Sequence, residues 1–327
     1  MSSIRLLVAL CGLLLANTAY ADQVRVLASI KPVQQIAAAL LDGIDEPAVL
    51  LPPGASPHAF ALRPSDRRAL ASAERVYWVG PTLELFLDST LHDLPSAREL
   101  TAIPGLHLRH FDEDADEHDH AAHEHENDHA DHADHADHAD HADHADHAGH
   151  EHGPGSLDPH IWLSPENALI IAHWMQADLA PLYPAQQERL QANLAAFEQD
   201  VKALEKQLQA RFTPLQSKPY FVFHDGYGYL ESYLGLQHRG VFSLAHEIQP
   251  GARHVNELRN TLSDAAPACV FSEPQFTPRL VNSLTEGLPV KSAQLDPLGS
   301  DIDVGPQGYE QQLKALTSTL AGCLESL

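Results

Sequence analysis

Basic residues are scarce in this chain. It carries 20 Lys and Arg against 45 Asp and Glu, a formal net charge of −25, so it presents no electrostatic footprint for a nucleic-acid backbone. Long apolar runs are missing too. The run from Leu6 to Leu15 is too short to span a bilayer, and no later segment approaches the roughly 20 apolar residues a transmembrane helix needs. Direct membrane insertion is therefore not expected. Cysteine is limited to Cys11, Cys269 and Cys323.

The start of the chain reads as an export signal. Arg5 precedes the apolar run, and Ala19-Tyr20-Ala21 follows with small residues at both specificity positions, so cleavage is expected after Ala21. The mature protein is expected to be soluble and exported. Cys11 falls inside the signal, and Val8-Ala9-Leu10 before it fits a lipoprotein cleavage site poorly, so no lipid anchor is expected. That leaves Cys269 and Cys323 as an even pair in an oxidising compartment, which predicts a disulfide. The bridge would contribute roughly 3–4 kcal/mol by restricting the unfolded chain. A two-cysteine metal site is the alternative.

One stretch lacks almost everything a fold needs. From Asp112 to His152 there is no Lys, no Arg and no apolar side chain larger than alanine, while the triplet Asp-His-Ala recurs seven times between Asp128 and Ala148. With nothing to bury and mutually repelling carboxylates, the segment is predicted to be disordered on its own. What it has is metal ligands: sixteen Asp or Glu and thirteen histidines, namely His118, His120, His123, His125, His129, His132, His135, His138, His141, His144, His147, His150 and His152. Imidazole suits zinc, copper and nickel, and carboxylates can support it. A three-residue repeat lets many ligand sets form interchangeably, which predicts several weak, exchanging sites. The plain alternative is a solvated acidic spacer. Since −16 of the net charge belongs to this tract, the remaining body carries only −9.

That body is expected to form two lobes, being larger than one small core usually holds. Val24 to Ile30 reads as a strand, with Pro32 opening a helix that ends before Gly43. A second strand at Ala48 to Leu51 runs into Pro52-Pro53-Gly54-Ala55-Ser56-Pro57-His58. Ser65 is the candidate cap of the next helix, and a third strand covers Val76 to Val79. Strand and helix alternate, which argues for a parallel sheet with ligands gathered beyond the carboxyl ends of its strands. After the tract, Leu157-Asp158-Pro159-His160 leads into a helix capped by Ser164 and opened by Pro165. Leu190, Leu194, Phe197, Val201, Leu204 and Leu208 then mark the apolar stripe of one long, stiff helix able to join two lobes. The second lobe repeats the logic. Strands are expected at Tyr220 to Phe223, ending at His224-Asp225-Gly226; at Ala268 to Ser272, ending at Glu273; and at Val290 to Leu295, ending at Asp296. A helix from Thr277-Pro278 stops near Gly287.

His58, His160, His224, Glu273 and Asp296 thus all fall at strand ends or helix lead-ins, on loops stiffened by proline and glycine that can converge in one cleft. His92, His107, His173 and His238 read as ordinary hydrogen-bonded residues, and Trp78, Trp162 and Trp174 as core. His246-Glu247 opens a zinc-protease motif, but the second histidine it requires is replaced by Pro250.

These segments resemble a known family. Gly54-Ala55-Ser56-Pro57-His58, Leu62-Arg63-Pro64-Ser65-Asp66, Asp158-Pro159-His160-Ile161-Trp162-Leu163, Phe223-His224-Asp225-Gly226-Tyr227, Phe271-Ser272-Glu273-Pro274-Gln275 and Leu295-Asp296-Pro297-Leu298-Gly299 resemble the periplasmic metal-binding proteins of cluster A-I. Those proteins feed ABC importers, and the likeness is to the zinc-specific ZnuA-like branch, across essentially the whole mature chain. The resemblance implies an α/β fold with two lobes, each a mainly parallel sheet flanked by helices, joined by one long rigid helix, with the metal site in the interlobe cleft.

It further implies metal ligands at His58, His160, His224 and, in many members, Asp296, with a His-rich loop where this chain has its tract. The manganese branch usually has Glu where this chain has His224, and a nitrogen-rich site favours zinc. Some zinc members place a ligating Glu immediately before the first histidine. Here that residue is Pro57, which leaves Asp296 and water as the candidates for the fourth position. Asp158, Asp225 and Glu273 are candidates for orienting the rings from behind.

The expected organisation is a leader over residues 1–21, an N-terminal lobe over 22–111 and 153–184, the metal-binding tract at 112–152, a linking helix at 185–212 and a C-terminal lobe at 213–327. The expected function is capture of one tightly held Zn2+ in the cleft, with weaker sites in the tract, and delivery to a membrane permease and its ATPase, by a monomer with no chemical step. Two other classes fit parts of the chain: a zinc hydrolase using an open fourth position to activate water, and a zinc-storage or adhesion protein acting through the tract.

Overall fold

Two four-stranded parallel sheets form the frame of the computed structural model, which describes residues 24–111, 155–243, 252–274 and 278–327. The expected leader, the His-rich tract and His246-Glu247 lie outside the described residues. The first sheet contains β1 (Val26–Ala28), β2 (Ala48–Val49), β3 (Arg75–Trp78) and β4 (Ala97–Glu99), in the order β2-β1-β3-β4. The second contains β5 (Tyr220–His224), β6 (Val241–Ser243), β7 (Ala268–Ser272) and β8 (Val290–Gln294), in the equivalent order β6-β5-β7-β8. Leu27 pairs with both Ala48 and Val76 in the first sheet, and Val222 with Val241 and Phe271 in the second. In each sheet the order of strand addition switches sides at the first strand, between β1 and β3 and between β5 and β7, creating a crevice at the carboxyl ends.

The helices are α1 (Lys31–Leu40), α2 (Pro64–Ser72), α3 (Leu85–Leu91), α4 (Pro165–Leu179), α5 (Gln187–Phe212), α6 (Gly228–Leu234), α7 (Ala252–Ala265), α8 (Pro278–Thr285) and α9 (Gly308–Glu325). The six apolar residues of the predicted stripe on α5 are all buried. With 26 residues, this helix is ~39 Å long.

Its packing explains why the lobes form a continuous body. One core cluster runs from β1 and α1 through Trp162, the α5 stripe and Tyr309 of α9 to Val222 and Phe271 of the second sheet. A second cluster, including Phe221, Phe223, Phe242, Leu258, Leu262 and Val270, lies on the other face of that sheet. Strand β5 feeds both clusters because successive side chains point to opposite faces. Tyr220 and Val222 join the first cluster, Phe221 and Phe223 the second.

Local starts and stops follow the sequence with specific departures. Helix α2 begins at Pro64, with Arg63 rather than Ser65 at its cap position. The Asp66 carboxylate accepts the Arg63 backbone N–H at 2.9 Å and its guanidinium at 3.0 Å, and proline suits the first helical position. Strand β2 is shorter than expected, although Leu50 and Leu51 still donate to the Ala28 and Ser29 carbonyls. Strands β4 and β6 and helices α3, α7 and α9 add to the elements expected from the sequence.

Cys269 of β7 and Cys323 of α9 are bridged, with Cα atoms 6.2 Å apart. The bridge ties the last helix to the second sheet.

Candidate metal site

Each of the three motif histidines is delivered by a different backbone device. His58 follows β2 on the Pro52 to Pro57 loop, whose early residues Pro52, Pro53 and Gly54 are exposed. His160 stands immediately before the one-turn helix Ile161–Leu163 and the start of α4. There the Ser164 hydroxyl accepts the Asn167 N–H at 3.1 Å, so the lead-in is fixed by a helix cap. His224 is the last residue of β5.

They meet in one place. His58, His160 and His224 are 8 %, 2 % and 2 % exposed, and each offers a ring nitrogen within 4.8 Å of the other two. Ring centroids are 5.6 Å apart for His58 and His160, 5.4 Å for His58 and His224, and 4.9 Å for His160 and His224. Zinc held at ~2.0–2.1 Å by tetrahedral nitrogens would draw those atoms to ~3.4 Å from one another. Only a small inward movement separates the described geometry from that.

The surrounding carboxylates have distinct jobs. Asp158 Oδ1 lies 2.8 Å from His160 Nδ1 and also accepts the His160 backbone N–H at 3.0 Å. A carboxylate at Nδ1 favours the tautomer whose Nε2 lone pair is available to a metal. Glu273 lies 4.0 Å from His224 Nδ1 and accepts the Tyr227 hydroxyl at 2.7 Å. Burial pushes its carboxyl up to about 8. Burial also pushes the Asp225 carboxyl up, while His238 pulls it the other way.

Asp296 uses its carboxylate differently: Oδ1 accepts the N–H groups of Leu298 at 3.0 Å and Gly299 at 3.1 Å, and Oδ2 that of Ser300 at 2.7 Å. It closes the turn after β8.

The glycine of His224-Asp225-Gly226 has a steric role. A Cβ there would lie 2.6 Å from His224 Cε1 and 3.0 Å from His160 Nε2, so only a hydrogen leaves both rings their positions. The four histidines read as ordinary stay outside the cluster. His92 pairs with Asp93, His173 with Glu198 and His238 with Glu231, and the His107 backbone bonds to the Asn167 side chain.

Sequence reasoning did not single out Tyr229 and Tyr309, whose hydroxyls donate to the Asp158 and Trp162 carbonyls at 3.0 and 2.8 Å. A lone tyrosine in a helix carries no sequence signal of such a partner. Trp162, read as core, is 1 % exposed, yet its indole N–H also donates to the Pro297 carbonyl at 2.9 Å.

Two parallel-sheet lobes with a buried cluster of three imidazoles, drawn from a loop, a helix lead-in and a strand end, define a cleft-type metal-binding protein. Known proteins agree. The family described as zinc-uptake complex component A, periplasmic, matches residues 26–323, and the chain belongs to this ZnuA family.

The high-affinity zinc uptake system protein ZnuA of Yersinia pestis is 39 % identical over 319 residues, covering 96 % of this chain and 95 % of the relative. A crystal structure of ZnuA superposes with a TM-score of 0.70 at 21 % identity, covering 93 % of this chain and 100 % of the other. The periplasmic zinc-binding protein TroA of Treponema pallidum gives 0.70 at 16 % identity over 91 % of this chain and 98 % of its own. At such identities these two structural likenesses speak for the fold alone.

Proposed function

We propose that this protein captures Zn2+ in the interlobe cleft, with His58, His160 and His224 as ligands, and hands it to a membrane permease driven by an ATPase. The observation that carries the reading is the convergence of three buried ring nitrogens within 4.8 Å in a chain of the zinc-uptake family. Three imidazoles and an oxygen form a site that favours zinc over harder ions. The oxygen comes from Asp296 or from water. Asp296 ligates only by giving up part of the turn it closes, whereas water needs no rearrangement. Asp158 orients His160, and Asp225 and Glu273 stand behind the cleft as polar support whose carboxyls burial holds toward the protonated form.

The rest of the chain is assigned accordingly. Residues 1–21 direct export, 22–111 and 153–184 form one lobe, 185–212 link the lobes, 213–327 form the second, and the protein acts as a monomer without catalysing a reaction. The tract at 112–152 raises the local zinc concentration through weak, exchanging sites, a role supported by its composition.

The described residues on either side of the tract meet, since the Gly155 N–H donates to the Phe111 carbonyl at 2.9 Å. Excision of the tract therefore leaves the body's connections in place. Competitive zinc titration of the mature protein lacking 112–152 should give one tight equivalent that disappears with His160→Ala. Affinity should also fall on acidification, since imidazole ligates only when neutral. If no tight equivalent is found, zinc binding belongs to the tract and the cleft reading fails.

A further inference from the structure

His160 precedes a helix of the N-terminal lobe, yet its loop is held from the far side of the cleft. Upstream, the Tyr229 hydroxyl of α6 donates to the Asp158 carbonyl at 3.0 Å and accepts the Arg109 N–H at 2.9 Å. That direction is forced, because a backbone N–H can only donate and a carbonyl can only accept. Asp158 closes the knot by donating its own N–H to the Arg109 carbonyl at 2.9 Å. Downstream, the Tyr309 hydroxyl of α9 donates to the Trp162 carbonyl at 2.8 Å, and the Trp162 indole donates to the Pro297 carbonyl at 2.9 Å. The Pro297 carbonyl also receives the Gln312 amide at 2.8 Å.

All of these side chains are buried, Tyr229 at 4 % and Tyr309 at 1 % exposure. Deleting either hydroxyl would strand a carbonyl away from water, where an unmet hydrogen bond is costly. Between the two fastenings lies the His160 ring, with the Asp158 carboxylate on its Nδ1. His58, by contrast, rides on a loop that is exposed on both sides, at Pro52 to Gly54 and at Ala59.

We infer that Tyr229 and Tyr309 are positioning residues for zinc. By clamping the His160 loop to the C-terminal lobe on both flanks, they hold His160 and His224 as a preformed pair, onto which the loop-borne His58 closes. Preorganisation of this kind acts on dissociation, because a ligand held in place cannot swing away from the bound ion. The inference rests on the cleft being the zinc site.

The test uses the full mature chain. Tyr229→Phe combined with Tyr309→Phe removes both hydroxyls and keeps both rings in the core. The matched control is Tyr220→Phe, which removes a buried hydroxyl that donates to Glu231 at 2.7 Å.

Zinc is titrated against a chromophoric chelator, its dissociation is followed by stopped flow, and cobalt(II) is used as a spectroscopic probe of ligand geometry. The double variant should bind the tight equivalent about tenfold more weakly or worse, entirely through faster release, with an altered cobalt spectrum. Tyr220→Phe should match wild type in all three. Wild-type affinity and spectrum in the double variant overturn the inference, as does an equal loss in Tyr220→Phe, which would mean general loosening. A wild-type protein with no tight zinc equivalent in the cleft defeats the proposed function instead, so the two failures are distinguishable.

Discussion

At the residue scale, Gly226 separates steric from chemical requirements of the site. Its backbone needs no left-handed conformation, so alanine is admissible there, but the added methyl would press on His224 and His160 Nε2. Gly226→Ala should therefore weaken zinc binding at least tenfold while changing the melting temperature of the zinc-free protein little, as read by parallel titration and thermal unfolding. Equal zinc affinity in the variant would show that the rings sit elsewhere when metal is bound.

Glu84 makes a different case. It is fully buried, accepts the Val79 N–H at 2.7 Å, and burial pushes its carboxyl up to about 7. The folded state then holds the proton more tightly than the unfolded chain, so this group's contribution is present below the unfolded value near ~4.3. It is lost as pH rises through about 7, a loss on the order of 3 kcal/mol. Glu84→Gln keeps an acceptor and removes the charge. Its stability relative to wild type should rise between pH 5 and pH 8 in denaturant melts, and a pH-independent difference would contradict the burial argument.

At the scale of elements, the disulfide and the last helix act together. Helix α9 buries Tyr309, Leu313, Leu316, Leu320 and Leu324, and Cys323 near its end is tied to β7. A closed loop of 54 residues corresponds to about 4 kcal/mol of unfolded-state restriction in the chain-entropy account. Cys323→Ser should lower unfolding free energy by a few kcal/mol and leave the tight zinc equivalent nearly unchanged, because the bridge lies at the helix end remote in sequence from Tyr309. A large loss of zinc affinity without loss of stability would mean that α9 transmits its position to the His160 loop through the bridge.

The sequence made the elements with strong punctuation legible. Pro165 after Ser164 marked α4, and the four-three spacing marked α5. The short strands β4 and β6 carry only three residues each, too few to show an alternation that separates a strand from a loop. Strand β2 is legible at Ala48 to Leu51, and its ladder continues by backbone hydrogen bonds to Leu51, where the prolines begin to shape the loop.

At the scale of the whole molecule, the shared core limits motion between lobes. The α5 stripe and Tyr309 belong to one cluster that touches both sheets. Gln35 of α1 adds hydrogen bonds to the Ile302 and Asp303 carbonyls at 3.4 and 3.1 Å. A hinge opening of many degrees would break this packing, since interiors are dense and bistable rather than elastic. Zinc-free and zinc-loaded protein should therefore give superimposable small-angle scattering profiles, with the change on binding confined to the His58 loop. A clear drop in the radius of gyration on adding zinc would establish lobe closure and overturn this view.

The sequence by itself determined which side chains are the proposed ligands. Histidine at positions 58, 160 and 224 is a matter of composition at stiffened loops, and proline, glycine and helix caps write those loops locally. It also determined the lobe architecture, because alternating strands and helices with buried parallel strands admit few arrangements. Tertiary structure alone decided which polar groups stand behind the three histidines. Asp158 hydrogen-bonds the His160 ring, Asp296 closes a turn, and two tyrosines from distant helices fasten the His160 loop. The physical reason is range: a cap or a proline acts through neighbouring dihedral angles, whereas a hydrogen bond across 147 positions, as between Tyr309 and Trp162, exists only once packing has brought the groups together.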